Sequence, residues 1–324
     1  MILKYHTESQ YIRARERDLR QMLHDREECR TAANHLISEN PITEKSADGT
    51  PMPKEHLFGD AYQPSQIAQR VEKMGVTKAR AETLTLLVLA ILAGAFISLG
   101  ALFFTVVVTK ANLGFGPTRL LGGLSFCLGL VLVVVGGAEL FTGNNLLAMA
   151  WASNLISTRD VLRNWCLAYL GNVIGCLGTV LLVVWADIAG LGGGAVGETA
   201  LQIARTKADL SLSGAFTRGI LCNALVCLAV WLAMGGHSVT DKILGMLLPI
   251  SAFVAIGFEH SIANWFFLPF GLALDGQGIV STAGTVRNLV AVSAGNIVGG
   301  TLLVAGVYWL AYLRGRHSRP DRAL

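Results

Sequence analysis

Between Thr83 and Thr109 the chain carries no ionisable side chain. That run is long enough for a helix to cross the ~30 Å apolar core of a bilayer. Five more apolar segments follow. Leu120–Ala138 is bounded by Arg119 and Glu139, and its apolar run resumes at Leu140. Asn164–Ala186, Gly219–His237 and Asn288–Leu313 hold no acidic residue, lysine or arginine, whereas the segment opening at Ile243–Phe258 is cut by Glu259 and His260. This pattern predicts an all-α, polytopic membrane protein with six transmembrane helices, the second and fifth of them broken. Ahead of the spans, Tyr62–Arg80 puts Pro64 near a helix start and Ile67, Val71 and Met74 on one face, which predicts an amphipathic helix. The expected organisation is a charged tail over 1–60 (helix-prone from Arg13 to His35, loop-like from Ile37 to Asp60), the amphipathic helix over 61–82, a six-span domain over 83–314 and a basic tail over 315–324.

Composition removes the soluble alternatives. Charged residues make up 15% of the chain and its mean hydropathy is +0.52, too apolar for a water-exposed surface. Half of the 22 acidic residues fall between Glu8 and Asp60, ahead of the apolar segments. The net charge of +4 forms no dense basic patch, so nucleic acid is not an expected partner. The six cysteines (Cys29, Cys127, Cys166, Cys176, Cys222, Cys227) follow no metal spacing, and five lie in apolar runs, as packing residues do. No metal and no cofactor is expected. The first 60 residues hold no apolar core segment of a cleavable signal. Basic residues orient the spans. A cytoplasmic N-terminus puts ten lysines and arginines inside, among them Arg314, Arg316, Arg319 and Arg322, and leaves six outside, Lys110, Arg119, Arg205, Lys207, Arg218 and Arg287. A multi-pass protein of the cytoplasmic membrane with both termini inside is the expectation.

The two broken spans belong to an internal repeat. Gly137, Glu139 and Asn144 recur as Gly257, Glu259 and Asn264, each pair 120 positions apart. Gly171-Asn172-Val173-Ile174-Gly175 recurs as Gly295-Asn296-Ile297-Val298-Gly299, 124 positions on, with Trp185 matched by Trp309. A three-span repeat forces the second copy to cross in the opposite sense, giving an inverted 3+3 arrangement. Such folds place the transport site near the midplane, where discontinuous helices meet. Irregular backbone at that depth is tolerated only when buried in protein or lining a cavity.

The segments Gly137-Ala138-Glu139-Leu140-Phe141-Thr142-Gly143-Asn144-Asn145, Leu221 to Trp231 and Gly257-Phe258-Glu259-His260-Ser261-Ile262-Ala263-Asn264 resemble the formate/nitrite transporter family. The similarity runs from about Gln63 to about Leu313. It implies a homopentamer of aquaporin-like protomers, each with its own pore for a small monovalent anion, with formate or nitrite foremost and hydrosulfide, lactate or acetate as alternatives. The cargo and a proton are then the partners, beside membrane lipid. By resemblance, His260, Thr142 and Asn223 lie at the pore, and Phe126, Leu130, Leu140, Phe141, Val226 and Phe253 form apolar constrictions. An ionisable group within a span is costly and usually functional, and histidine titrates in the physiological range. The expected path is attraction of the anion into a vestibule, proton gain near His260 and exit as the neutral acid or as an anion–proton pair. Glu139 and Glu259 are read differently, because a carboxylate lining the path repels an anion. They are expected to satisfy backbone N–H groups freed at the breaks, with Asn144 and Asn264 bracing the same loops. The amphipathic helix resembles the family's element beneath the pore, a candidate gate.

The sequence departs from that pattern at Trp265, where many relatives have methionine, and at Val290-Ala291-Val292, which lacks an expected proline. Three other classes compete. A neutral-solute channel of the aquaporin kind wants Asn-Pro-Ala at the breaks, and neither break contains proline. A membrane enzyme has no nucleophile or metal set beside His260 and Glu259. A scaffold with a binding tail leaves the repeat unexplained.

Overall fold

The computed structural model describes residues 61–317. The charged tail over 1–60 and the end of the basic tail, with Arg319 and Arg322, lie outside the described residues. Among the described residues six helices are long and apolar enough to cross a membrane.

The first helix, α1 (Pro64–Ala79), starts with Pro64 at its first turn and buries Ile67, Ala68 and Val71. Glu82 caps α2 (Thr83–Val108), accepting from the Leu84 and Thr85 N–H groups at 3.0 and 2.7 Å. Those two bonds hold its carboxyl below the usual glutamate value. Next come α3 (Phe115–Gly136), a 3₁₀ segment over Gly143–Leu147 and the short α4 (Ala148–Ala152). The long α5 (Thr158–Trp185) opens with a capping box between Ser157 and Asp160. The second half repeats the order with α6 (Ala195–Ala208), α7 (Leu212–Gly235), α8 (Val239–Ile256) and α9 (Ser261–Leu274). The last span is α10 (Thr282–Val298), a π-helical stretch over Gly299–Gly306 and α11 (Val307–Tyr312).

Both breaks are made the same way. α3 ends on Gly137 at φ +81° and α8 on Gly257 at φ +87°, a left-handed conformation that glycine adopts without penalty. The next N–H groups, of Ala138 and Phe258, reach back to the Val133 and Phe253 carbonyls at 2.8 and 3.0 Å, the six-to-one bond of a Schellman close. The halves then diverge. After the first break the apolar run does not resume as a long helix, because Asn145 Nδ2 bonds back to the Phe141 and Thr142 carbonyls at 3.2 and 3.1 Å. Such local bonds compete with helix, and only the 3₁₀ turn and the short α4 result. After the second break His260 caps a regular fourteen-residue helix.

The pairing reaches further than the sequence showed. α6, amphipathic and lying between α5 and α7, stands to the second half as α1 stands to the first. Lys78 near the end of α1 and Lys207 near the end of α6 hold equivalent carboxylates, Glu139 and Glu259.

Candidate functional site

Two pockets approach each other from the two breaks. One, of about 380 Å³, is lined by Phe126, Phe253, Glu259, His260 and Asn264 together with Lys207 from α6. The other, of about 210 Å³, is lined by Leu130, Glu139, Leu140 and Asn144 together with Lys78 and Met74 from α1. On α3 the nearest wall residues of the two pockets are Phe126 and Leu130, one helical turn or about 6 Å apart along the helix axis. Phe126 and Phe253 meet edge to face, their centroids 5.6 Å apart. Phe141, Thr142, Asn223 and Val226 line neither pocket and are buried within the protein.

His260 is 3% exposed and bonded on both ring nitrogens. Its Nδ1 accepts the Ala263 N–H at 3.1 Å, capping α9. A nitrogen that accepts carries no proton, so the hydrogen of the neutral ring sits on Nε2. Nε2 lies 3.0 Å from Thr142 Oγ1 and donates to it. The Thr142 hydroxyl is thereby an acceptor with its own hydrogen left to give. The His260 ring also lies nearly parallel to Phe253, centroids 5.9 Å apart. The site therefore holds one free O–H, backed by the His260 N–H that it accepts, at an otherwise apolar barrier.

Asn223 lies against the Thr142 loop, with its amide turned to backbone. Its Nδ2 donates to the Asn296 carbonyl at 2.7 Å and the Thr142 carbonyl at 3.2 Å. Both amide hydrogens are spent on backbone, and its Oδ1 is buried without a partner. Asn223 thus ties the Thr142 loop to the last span at the edge of its π stretch. Phe141 is also held from behind, with its N–H donating to Asn172 Oδ1 at 2.9 Å and its ring edge-on to Tyr169 at 4.9 Å.

The carboxylates do not cap backbone N–H groups. Glu139 Oε2 accepts from Lys78 Nζ at 3.0 Å and Asn144 Nδ2 at 2.8 Å. Glu259 accepts from Lys207 Nζ at 2.9 Å and Asn264 Nδ2 at 2.7 Å. Each asparagine amide also bonds a second asparagine, Asn164 or Asn288, at 2.9 and 2.8 Å. The backbone groups at the breaks find other partners. Glu139 N–H bonds the Leu89 carbonyl and Glu259 N–H the Arg218 carbonyl. Asn172 and Asn296 each take one loop N–H, of Phe141 or Ser261, and donate to the Glu139 or Glu259 carbonyl at 2.9 and 3.0 Å. A carboxylate at partial burial needs a counter-charge more than an N–H needs a carboxylate, and a lysine from the amphipathic helix supplies it. The two lysines had stood in the sequence only as charges counted for orientation. Their shared spacing of 129 from one half to the other was the available signal.

The comparisons with known proteins give the family. The family described as "Formate/nitrite transporter" matches residues 65–310. The chain belongs to that family. It is 40% identical over 273 residues to the formate channel FocA of Escherichia coli, covering 79% of this chain and 96% of that one. A formate channel of Haemophilus influenzae is 36% identical over 270 residues, 78% of this chain and 95% of the other. Among solved structures, one described as a pentameric formate channel with formate bound superposes with a TM-score of 0.66 at 39% identity, covering 72% of this chain and 98% of that one. Another, described as an FNT family ion channel, gives 0.70 at 27% identity, with 76% and 99% covered. This formate/nitrite transporter family member is a membrane transport protein and not an enzyme. Its departure at Trp265 has a local explanation. Trp265 Nε1 donates to Tyr169 Oη at 2.8 Å, and Tyr169 bonds Ser293 at 2.9 Å, a chain that joins α9, α5 and α10 behind Phe141.

Proposed function

We propose that the protein passes small monovalent anions, formate first, through each protomer across the barrier between its two pockets. The observation that carries this reading is the pair of pockets ending on either side of His260 and Thr142, with a basic side chain in each wall. Formate is favoured because the curated relatives above are formate channels at 36% to 40% identity. The pentameric neighbour likewise supports a homopentamer. In this reading the two halves are inverted copies, α1 lies on the cytoplasmic face with both termini, and α6 lies on the outer face of the cytoplasmic membrane.

The mechanism follows from solvation. A bare anion loses several kcal/mol of hydration on entering an apolar neck, while a neutral acid loses far less. Arg119 and Arg218 on one side and Lys242 on the other, in no ion pair among the described residues, draw the anion in. At the barrier the His260 Nε2–H turns from Thr142 to the anion, and the freed hydroxyl donates as a second hand. These two donors hold the anion at the barrier, and the apolar neck beyond them raises its affinity for a proton, which it takes up from vestibule water before crossing as the acid. Protonating His260 at Nδ1 requires breaking its cap on Ala263, so the ring acts here as a hydrogen-bond donor. Nitrite, of the same charge and similar size, shares this path.

Uptake of labelled formate, nitrite, acetate and lactate into proteoliposomes of the purified protein tests the reading. Formate flux above that of empty vesicles, with acetate and lactate slower, is expected. Faster lactate than formate, or no anion flux, contradicts it.

A further inference from the structure

The larger pocket is built for more than a one-carbon anion. Its 380 Å³ falls in the range of small-molecule sites, which are apolar cavities with a few convergent polar groups. Six phenylalanines line it, Phe104, Phe115, Phe126, Phe253, Phe258 and Phe267. Two guanidinium groups, Arg119 and Arg218, stand in the same wall. The one acid lining it, Glu259, is already taken by Lys207.

Arg119 is fixed in place. Its Nε donates to the Ala255 carbonyl at 2.8 Å and its Nη2 to the Val254 carbonyl at 2.9 Å, at the C-terminal end of α8. That uses one fork of the guanidinium. The Nη1 amino group and the second Nη2 hydrogen take no partner among the described residues, and together they form the end-on fork that accepts a carboxylate bidentately. Arg218 is exposed, and among the described residues its guanidinium makes only one long bond, Nη1 to the Gly257 carbonyl at 3.5 Å. Both groups therefore face the pocket with donors to spare.

The molecule contains its own control. The opposite pocket shares the lysine, glutamate and asparagine of its break but has no phenylalanine and no arginine in its wall. Where the second half has Arg218 the first has Leu89, and the α3 position held by Arg119 corresponds to Val239 of α8. The repeat keeps the conducting core and adds rings and guanidiniums on one side alone. At the bottom of that side the Phe126 and Phe253 rings close together, too tightly for an aryl group to pass.

We propose that the α6-side pocket is a binding site for monocarboxylates with an apolar or aromatic tail, held by Arg119 and Arg218 at the carboxylate and by the phenylalanines at the tail, and retained there as blockers. Benzoate is the probe. Titration calorimetry of the full-length protein in detergent should show one saturable benzoate site per protomer. Benzyl alcohol, of like shape without the charge, should bind at least about tenfold more weakly. Arg218→Leu should weaken benzoate by about tenfold or more, and because Arg218 is exposed, this variant keeps the fold even if Arg119→Gln, which uncaps α8, does not. In oriented proteoliposomes benzoate on the α6 face should inhibit formate flux, and on the α1 face it should not. No saturable benzoate heat, equal affinity in Arg218→Leu, or equal inhibition from both faces overturns the proposal. The site is separable from the conduction reading: benzoate binding lost in Arg218→Leu with no formate flux in the parent protein refutes conduction and upholds the site, while formate flux without benzoate binding does the reverse.

Discussion

His260 joins the two breaks through a single ring, with Nδ1 capping α9 and Nε2 on Thr142 of the other loop. Its importance was legible from sequence, because an ionisable residue at membrane depth stands out against an apolar run. Its tautomer was not legible, since that depends on an N–H three residues on and a hydroxyl 118 positions away. Asn223 illustrates the opposite case. The resemblance put it at the pore; its amide hydrogens go to two carbonyls, and only the folded backbone decides that. If the His260 Nε2–H holds the anion where it takes up its proton, His260→Leu, which removes the donor, should alter the dependence of formate flux on pH across about pH 5 to 8. Stopped-flow flux in proteoliposomes measures this. A lower rate with the same pH slope would mean that the ring only shapes the path.

At the scale of elements, the long spans were read correctly because apolar runs of that length have few alternatives, and α3 and α8 close on Gly137 and Gly257, two residues before Glu139 and Glu259. After Leu140 the apolar run continues as a 3₁₀ turn and the short α4 rather than as a long helix. The backbone bonds of Asn145 explain the difference. α6 escaped notice, being short, polar on one face and without a run of residues identical to α1. Yet α1 and α6 each deliver the lysine that neutralises a carboxylate. The second pair is the more enclosed, its side chains 15% and 5% exposed against 22% and 12% for the first. Removing one partner of such a pair leaves a charge stranded, at a cost of roughly 3–5 kcal/mol when fully buried. Glu259→Gln should therefore lower the melting temperature of the detergent-purified protein more than Glu139→Gln, and adding Lys207→Met should restore part of the loss. Equal melting of both single variants with the parent would show that the pairs are not what holds the loops.

At the scale of the molecule, two halves that share little running sequence repeat the same bonds, glycine closes and lysine–carboxylate pairs. The sequence showed this repeat where glycine, glutamate and asparagine have no substitute, and hid it elsewhere, because lipid-facing positions accept any apolar residue. Differences between the halves are as informative as the likeness: one break runs into a 3₁₀ turn and the other into a capped helix, and one pocket gains arginines. The central claim is that the anion crosses the barrier between the two pockets. Leu130 walls the smaller pocket at that barrier and is 2% exposed, so Leu130→Trp puts a ring across the path without touching His260, Thr142 or either lysine. Formate uptake by proteoliposomes of this variant, beside the parent and matched for oligomer by size-exclusion chromatography, is the most direct measurement. Uptake in the parent and none above empty vesicles in Leu130→Trp is the predicted result. Undiminished uptake in the variant would mean that formate takes another route.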